Sequence, residues 1–241
     1  KVKGLMNVQF AVKNGEVYVL EVNPRASRTV PFISKATGIP LAAIGAKLMV
    51  GKNLSDLNIK EKDFSHVAVK EAVLPFERLP ESDTVLTPEM RSTGEVMGID
   101  NNFEMAFFKS QIAAGVMLPK SGHVFVSIKD TDKTESMIKA CKTLVEIGFK
   151  LVATKGTKLF LDNANINNQL VKKVYEGRPN IVDLLDDNKI SIVMNTTTGE
   201  QSIRDSKEIR SLALNKKIPY YTTARGIVAA IFCLKENIKS D

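Results

Sequence analysis

The second half of the chain alternates short apolar runs with helix-like segments, and this alternation limits the fold more than any other feature. The apolar runs cover residues 123–128, 151–154, 190–195 and 220–223. Helical patterns cover residues 132–147, 205–215 and 226–235. Strands that are apolar throughout and separated by helices are typical of a parallel sheet with helices on both faces. We therefore expect residues 119–241 to form one α/β domain.

The sequence patterns in the first half of the chain predict an α+β arrangement, and we assign this unit to residues 1–118. Two β-rich runs within residues 5–23 flank Asn14-Gly15, and Asn-Gly is a strong hairpin signal because both positions of the tight turn need a positive φ. Helical segments are expected over residues 32–37 and 40–50. The remaining patterns are weaker: a strand at 67–74, a helix at 102–114, and loops at Pro75, Pro80 and Pro88.

Composition narrows the class of partner. The formal net charge is +7, but basic residues are mixed with acidic ones and no run interleaves Lys or Arg with aromatics, so nucleic-acid binding is not expected. No apolar stretch reaches the roughly 20 residues of a membrane span and no export signal opens the chain, which predicts a cytoplasmic protein without a membrane partner.

The two cysteines, Cys141 and Cys233, are expected to be core thiols. The start at Lys1, without an initiator Met, indicates a fragment of a longer protein.

The register of the hairpin decides which of its side chains share a face, because side chains alternate along a strand. Regular pairing around a two-residue loop would mix polar and apolar residues on both faces. A loop of odd length or a single bulge instead gathers the apolar residues on one face, namely Met6, Val8, Phe10, Tyr18, Leu20 and Val22. The polar residues on the other face are then Asn7, Gln9, Glu21 and Asn23. We predict this shifted register, since one slip moves every side chain across the sheet.

The polar face of the hairpin would carry one carboxylate and three amides, with Arg25 and Arg28 just beyond it. Carboxylate and amide oxygens are hard ligands that suit Mg²⁺ or Mn²⁺, and these ions usually share their ligands with substrate phosphates. Arginines bind phosphate oxygens through paired, charge-assisted hydrogen bonds. The same pattern is open to a solvated sheet face with a salt bridge between Glu21 and an arginine.

Polar turns follow three of the predicted parallel strands. They are Thr154-Lys155-Gly156-Thr157, Asn195-Thr196-Thr197-Thr198-Gly199 and Thr222-Thr223. In an open parallel sheet, ligands bind beyond the carboxyl ends of the strands. Hydroxyls, glycine N–H groups and a nearby lysine there would form an anion-binding nest, although such turns also serve as plain loops and helix caps.

Long motifs of the chain resemble the C-terminal part of carbamoyl phosphate synthetase large subunits of the bacterial type. They are Asn7-Val8-Gln9-Phe10, the run from Glu21 to Gly38, Lys70-Glu71, Leu74-Pro75-Phe76 and the run from Glu89 to Gly98. With the α/β region that follows, the resemblance covers essentially the whole chain. It implies the end of the second ATP-grasp unit in residues 1–118, followed by a parallel-sheet, Rossmann-like domain of the methylglyoxal-synthase-like type in residues 119–241.

The resemblance implies an ATP-dependent ligase that makes carbamoyl phosphate from bicarbonate, glutamine-derived ammonia and two ATP, in arginine and pyrimidine biosynthesis. Gln9, Glu21 and Asn23 match the family's ligands for Mg²⁺ or Mn²⁺, and Gln9 and Glu21 also match residues of its ATP site. Arg25 and Arg28 match arginines beside the transferred phosphate and are the candidate catalytic residues. The fragment lacks the upstream nucleotide-binding strands of the family, so it is expected to be inactive by itself.

The resemblance also implies regulation by small molecules. The residues that match the pocket for the phosphate of a nucleotide effector such as UMP or IMP are Lys133, Thr154, Thr157, Lys173, Asn195 and Thr197. Glu71, Leu74 and Thr222 match positions where some bacterial members bind ornithine. The implied protein partner is a small glutaminase (amidotransferase) subunit, and a homo-oligomer of that heterodimer is compatible with the resemblance.

Two other functions remain open from the sequence. The chain could act as a non-catalytic module that binds phosphorylated ligands. A phosphosugar lyase of the methylglyoxal-synthase type is disfavoured, because Asn195-Thr196-Thr197 stands where that enzyme needs an acidic turn.

Overall fold

The structure, a computed structural model, describes residues 2–60, 63–74, 92–197, 204 and 206–239. Several predicted features lie outside these residues: the loops at Pro75, Pro80 and Pro88, the Thr198-Gly199 end of one polar turn, and residue 205 at the start of one helix. The described strands form two antiparallel pairs and one five-stranded sheet, which confirms the α/β and α+β class. Within the described ranges, no helix combines the length and apolar character needed to cross a membrane.

The N-terminal antiparallel pair is the predicted hairpin, called here the ribbon. Its strands are β1 (Asn7–Lys13) and β2 (Glu16–Asn23). The turn residues Asn14 and Gly15 have φ angles of 52° and 83°, the positive values that an Asn-Gly turn supplies. Two helices follow the ribbon, α1 (Thr29–Thr37) and α2 (Leu41–Met49).

A single bulge sets the register of the ribbon, as predicted. The pairing shifts between Gln9 and Phe10, which leaves Leu20 without a partner residue. Beyond the shift Gln9 lies opposite Glu21, and the next pairs are Val8 with Val22 and Asn7 with Asn23. Because directly opposed residues of an antiparallel pair point to the same face, the four predicted polar side chains share one face at this end.

The sorting of side chains predicted for the whole ribbon is wrong at its turn end. There Ala11 lies opposite Tyr18, and Phe10 lies opposite Val19. Tyr18 therefore falls on the face of Gln9 and not on the face of Phe10. The reason is that a bulge changes the pairing on one side only, so the pairs between the bulge and the Asn-Gly turn keep the regular register.

A second antiparallel pair is covered by a helix. Strands β3 (Val67–Val73) and β4 (Gly94–Asp100) pair along their whole length, and α3 (Phe103–Ala113) packs against them. The side chain of Asn102 caps α3 by accepting a hydrogen bond from the Met105 N–H at 2.8 Å. The strand and helix expected in this region are confirmed, whereas β4 is a strand that the sequence patterns did not indicate.

The five-stranded sheet is parallel throughout and occupies the second half of the chain. Its strands are β5 (His123–Ser127), β6 (Lys150–Ala153), β7 (Asn168–Leu170), β8 (Ile190–Asn195) and β9 (Tyr220–Tyr221). Its helices are α4 (Glu135–Glu146), α5 (Lys155–Asn163), α6 (Ile181–Asp186), α7 (Lys207–Asn215) and α8 (Ala224–Lys239). The spatial order β7-β6-β5-β8-β9 places the first strand in the centre, so the chain winds outward first in one direction and then in the other.

Both faces of this sheet are buried, as the apolar strands predicted. One face carries a core built on α4, α5 and α8, and it includes Val124 and Val126 of β5. The opposite face carries a core built on α6 and α7, and it includes Phe125. Cys141 and Cys233 are free, fully buried thiols, which confirms their predicted role as core residues.

Two element boundaries differ from the expectation in a way that matters for function. The helix expected over residues 132–147 begins only at Glu135, because Asp130–Asp132 forms a 3₁₀ turn and Thr134 caps α4. The polar turn expected at Thr154 is the first turn of helix α5. Both differences place helix ends, with their unpaired backbone groups, at the carboxyl edge of the sheet.

Gly98 in β4 permits the close approach of α3. A β-carbon at this position would collide with the backbone oxygen of Ala106 and lie 2.6 Å from the backbone nitrogen of Ser110. We expect Gly98→Ala to destabilise the protein by about 1–3 kcal/mol, because backbone on a packed helix cannot move aside cheaply. Urea denaturation followed by circular dichroism suits this chain, which contains no tryptophan.

The control for this prediction is Gly94→Ala in the same strand, where a β-carbon would meet no atom within 4 Å. Its stability should stay within about 0.5 kcal/mol of the parent. Equal stability of the two variants would contradict the close packing described for α3 and β4.

Candidate functional site

A cavity of about 560 Å³ opens at the carboxyl edge of the five-stranded sheet. It lies at the place where the winding direction changes, since β6 pairs with one side of β5 and β8 with the other. The connections leaving β5 and β8 diverge there, and ligands of open parallel sheets bind at such switch points. We call this the switch-point cavity.

The first turn of α5 forms one wall of the switch-point cavity. Thr154 and Thr157 are almost fully buried, with 3% and 1% of their surface exposed. The Thr157 Oγ1 accepts a hydrogen bond from the Ile128 N–H at 2.8 Å, which fastens α5 to the end of β5. Backbone N–H groups in the first turn of a helix have no partner within the helix, and Gly156 of this turn lines the cavity. This wall therefore offers donors to an anion.

The end of β8 forms the opposite wall. Asn195 is buried and donates a hydrogen bond from Nδ2 to the Tyr220 hydroxyl at 3.1 Å. The Thr196 Oγ1 accepts a hydrogen bond from the Lys129 N–H at 2.9 Å, so the loop after β5 is tied to β8. Thr197, which is half-buried, also lines the cavity. The polar groups of this wall are thus held in place by neighbouring elements.

Positive charge comes to the cavity from three lysines of the described residues, Lys129, Lys133 and Lys173, of which the last two were predicted. The Lys133 ammonium donates to the Gly156 carbonyl at 3.0 Å and forms an ion pair with Asp130 at 2.6 Å. Lys173 is exposed, with its Nζ 5.8 Å from the centre of the Tyr175 ring. All six residues that the sequence assigned to phosphate binding line this one cavity.

Among the lining residues that sequence reasoning missed are Lys129, Asp130 and Tyr175. Lys129 and Asp130 lie just after β5. The rule that ligands bind beyond the carboxyl ends of parallel strands, which selected the other turns, could therefore have found them. Tyr175 lies in a 3₁₀ turn after β7, and that edge strand has only three residues, too few for a recognisable pattern.

The ribbon brings the three predicted metal ligands together at one end. Gln9 lies opposite Glu21, and the Asn23 side-chain amide donates a hydrogen bond to the Glu21 carboxylate. Among the described residues, the amide of Asn23 rather than an arginine is the side-chain partner of Glu21. One carboxylate with neighbouring amides suits a hard divalent cation. Clusters of three or more His, Cys, Asp or Glu side chains able to hold a metal are absent from the described ranges, so an ion here would depend on amide oxygens.

The two candidate catalytic arginines differ in how they are held. The Arg28 guanidinium donates to the Ser92 hydroxyl at 2.7 Å and lines a second cavity of about 250 Å³. Further charged residues of that cavity are Lys35, Lys70 and Glu95. The Arg25 guanidinium donates to the Ala26 carbonyl at 2.9 Å and is exposed close to the end of the ribbon. Arg28 is therefore the more firmly oriented of the pair.

The ribbon exposes most of its large apolar side chains. They are Phe10, Val12, Val17, Val19, Leu20 and Val22, and Met6 just before β1 is exposed as well. Gln9 and Glu21 are exposed as well, so the candidate metal site is an open sheet surface and not a cavity. Contiguous apolar surface of this kind usually marks a face that contacts another surface.

A hydrogen-bond relay joins the five-stranded sheet to β3. The Glu71 carboxylate accepts a bond from the Gln111 amide at 2.7 Å, and the Gln111 carbonyl oxygen accepts a bond from the Tyr221 hydroxyl at 3.0 Å. Burial raises the pKa of the Tyr221 phenol, which keeps it a donor. The relay brings Glu71 towards Thr222, the residue after Tyr221, and Leu74 follows the end of β3. Of the three predicted ornithine positions, Glu71 is thus part of the relay, and Leu74 and Thr222 directly follow the two strands that it connects.

Two family models match the chain. The model described as "MGS-like domain" matches residues 136–222. The model described as "Carbamoyl-phosphate synthase L chain, ATP binding domain" matches residues 1–57. The first match contains most of the switch-point cavity, and the second contains the ribbon and both candidate arginines.

Curated relatives match nearly the whole chain. The carbamoyl phosphate synthase large chain of Myxococcus xanthus is 55% identical over 97% of this chain and 22% of its own length. The large chain of Rhizobium meliloti is 50% identical over 97% of this chain and 21% of its own length. That of Methanosarcina barkeri is 46% identical over 100% of this chain and 61% of its own length. The chain spans about a fifth of the first two relatives, at their C-terminal part, and the resemblance seen in the sequence is confirmed.

The relay through Gln111 gives a stability prediction. Gln111→Leu keeps the approximate shape but removes a partner from both Glu71 and Tyr221, so we expect a loss of about 1–3 kcal/mol of unfolding free energy. Tyr221→Phe removes one hydroxyl and should cost about 0.5–1.5 kcal/mol. The control is Gln169→Leu on β7, an exposed position that should change stability by less than about 0.5 kcal/mol. A urea unfolding midpoint for Gln111→Leu equal to that of the Gln169→Leu control would contradict the relay.

Proposed function

Since this chain belongs to the carbamoyl phosphate synthase large chains, whose C-terminal part it matches, we propose that it serves the synthesis of carbamoyl phosphate from bicarbonate, glutamine-derived ammonia and two ATP. In this proposal it is part of an ATP-dependent ligase. The ribbon contributes to the step that phosphorylates carbamate, and the switch-point cavity binds a nucleotide effector. The partner is a small amidotransferase subunit that supplies ammonia.

The observation that carries the catalytic part is the pairing of Gln9 with Glu21 on one face of the ribbon. Gln9, Glu21 and Asn23 would hold Mg²⁺ or Mn²⁺, which when bound neutralises charge on the nucleotide phosphates. Arg25 and Arg28 would bind oxygens of the transferred phosphoryl group, because guanidinium donors match phosphate geometry. These residues act by position and charge, which are the main requirements of phosphoryl transfer.

The open surface of the ribbon supports the expectation that this chain is inactive alone. Its apolar side chains and its candidate ligands are exposed on the same two strands. An ATP site that excludes water needs further surfaces over these strands. The relatives are longer than this chain, and the proposal assigns those surfaces to the rest of the synthetase.

Glu21→Gln tests the catalytic assignment in the complete synthetase. The substitution keeps the size of the side chain but removes the one carboxylate of the ligand set, so carbamate-dependent ATP hydrolysis should fall on the order of 100-fold or more. The measurement is steady-state ATPase with and without carbamate precursors.

The matched control for this test is Glu16→Gln, an exposed carboxylate on the same ribbon that accepts a bond from Tyr18 at 2.6 Å and lies at the turn. It should retain activity close to the parent. Parent-like turnover of Glu21→Gln, with its fold intact by circular dichroism, would remove the metal assignment.

The regulatory part of the proposal places the phosphate of UMP or IMP in the switch-point cavity. It is supported by the convergence of the six assigned residues, by the first-turn N–H groups of α5 and by the volume, which exceeds that of a phosphate alone. Buried Thr154, Thr157 and Asn195 provide fixed polar groups, and the two predicted lysines provide charge. The proposal keeps the boundary between the two units at residues 118 and 119, before the parallel sheet begins at His123.

Calorimetric titration of the 241-residue chain with UMP and IMP tests the effector site. Lys173→Ala should weaken binding roughly tenfold, because it removes a charged donor while leaving the buried walls intact. The control is Lys172→Ala, a neighbouring exposed lysine that does not line the cavity. A wild-type chain that binds neither nucleotide at millimolar concentration would refute the assignment.

A second function, a non-catalytic module for phosphorylated ligands, is favoured by one observation. The switch-point cavity is built entirely by this chain, whereas the ribbon is an open surface. With this second function, the chain would bind nucleotides, and the longer protein that contains it would not turn over ATP at the ribbon. The Glu21→Gln experiment distinguishes this function from the first proposal. The phosphosugar lyase remains disfavoured, since Asn195 and Thr196 occupy the end of β8.

The junction around Glu71 is the proposed site for ornithine or another amine effector. Its support is a half-buried carboxylate that has neutral hydrogen-bond donors as its partners among the described residues. A cationic amine would supply the missing countercharge. Thr222 and Leu74 directly follow β9 and β3, the two strands that the relay connects.

A further inference from the structure

The loop between β5 and α4 carries its own anions to the switch-point cavity. Its 3₁₀ turn, Asp130–Asp132, places one carboxylate 2.6 Å from the Lys133 ammonium and another 3.6 Å from the Lys129 ammonium. Asp130 is one of the residues that line the cavity. In the free protein, therefore, a lysine assigned to ligand phosphate already has an anionic partner.

The two members of the Asp130–Lys133 pair are held very differently. The Lys133 side chain is 18% exposed and is also fixed by the Gly156 carbonyl at 3.0 Å. The Asp130 side chain is 94% exposed. An exposed carboxylate can rotate into water at little cost, whereas the half-buried ammonium stays in place at the start of α5. The anion is the partner that can leave.

We propose that Asp130 is an internal counter-ion that competes with ligand phosphate for Lys133 and so sets the affinity of the switch-point cavity. This inference rests on the proposed effector site and adds a residue that lowers affinity instead of raising it. On binding, the phosphate replaces the carboxylate at Lys133, and Asp130 turns to solvent without any covalent change.

Phosphate wins this exchange because it can make contacts that the tethered carboxylate lacks. A phosphate at Lys133 lies beside the first turn of α5, where unpaired N–H groups favour a dianion. A ligand with a lone carboxylate would merely repeat the contact that Asp130 already makes. The competition therefore favours phosphate esters over simple carboxylates.

The electrostatics of the loop agree with this role. A hydrogen bond from Lys133, with the charge of Lys133 and a smaller contribution from Lys173, lowers the pKa of the Asp130 carboxyl. Asp130 accordingly remains ionised near neutral pH, where phosphate esters carry two charges. Both lysines assigned to the ligand thus act on this one internal anion.

The test compares the affinity of the 241-residue chain and its variants for inorganic phosphate and for UMP, by calorimetry at low ionic strength. Asp130→Asn should bind both probes about two- to fivefold more tightly, the range expected for release of an exposed ion pair. The gain should vanish when the same substitution is made in a Lys133→Gln background, which retains Lys173 and the α5 amides.

The matched control is Asp162→Asn. Asp162 pairs with Lys158 at 2.9 Å on α5, away from the cavity lining, and its loss changes the net charge equally. A gain for Asp162→Asn as large as that for Asp130→Asn would overturn the inference, as would an Asp130→Asn gain that persists without Lys133. Unchanged or weaker binding by Asp130→Asn, with wild-type binding intact, would overturn the inference but leave the effector site standing. If neither the wild type nor any variant binds either probe, both the inference and the proposed effector site are refuted.

Discussion

The parallel pairing of β5 on both of its edges is the constraint on which the α/β half of the molecule depends. Its middle residues Val124, Phe125 and Val126 are at most 1% exposed and supply alternate cores on the two faces of the sheet. A strand buried in this way cannot shift its register without moving apolar side chains into the wrong core. The loops that leave β5, β6 and β8 are consequently held at one edge, and the cavity is the space between them.

The polar groups of that cavity are rigid to different degrees, and this difference organises its chemistry. The hydroxyl oxygens of Thr157 and Thr196 accept hydrogen bonds from the backbone N–H groups of Ile128 and Lys129. Both residues therefore hold the walls in place as well as line them. Lys173 and Asp130, in contrast, are exposed at the mouth. A pre-formed wall keeps the entropy cost of binding low, while the exposed charges adjust to the ligand. In the proposed effector site we therefore expect affinity to depend on the exposed charges more than on the walls.

The sequence predicted the parts of the fold that depend on apolar pattern, and it missed those that depend on position in space. The strand at Ile190–Asn195 was predicted to the residue because its apolar run is flanked by clear breaks. Tyr18 was placed on the wrong face, since the parity argument treated the bulge as if it reset the whole ribbon. Lys173 was assigned through the family resemblance alone, because the short strand β7 leaves no local pattern. Asp130 escaped notice because a carboxylate is not an obvious part of an anion site.

The two candidate sites differ in how far each depends on the rest of the fold. The ribbon owes its ligand set to one unpaired residue, Leu20, whose bulge brings Gln9 opposite Glu21. That pairing involves only the two strands of the ribbon, whose apolar side chains are exposed, and a two-stranded ribbon needs packing against another surface to be stable. The cavity, in contrast, is assembled from residues as far apart in sequence as Phe125 and Ile209, and it exists only while both cores of the sheet are intact. The relay from Tyr221 through Gln111 to Glu71 then joins the sheet to the β3–β4 pair by partly buried hydrogen bonds. Tyr220, the neighbour of Tyr221 in β9, accepts a hydrogen bond from Asn195 in the cavity wall. A shift of β9 would therefore change both the cavity wall and the hydrogen bond from Tyr221 to Gln111.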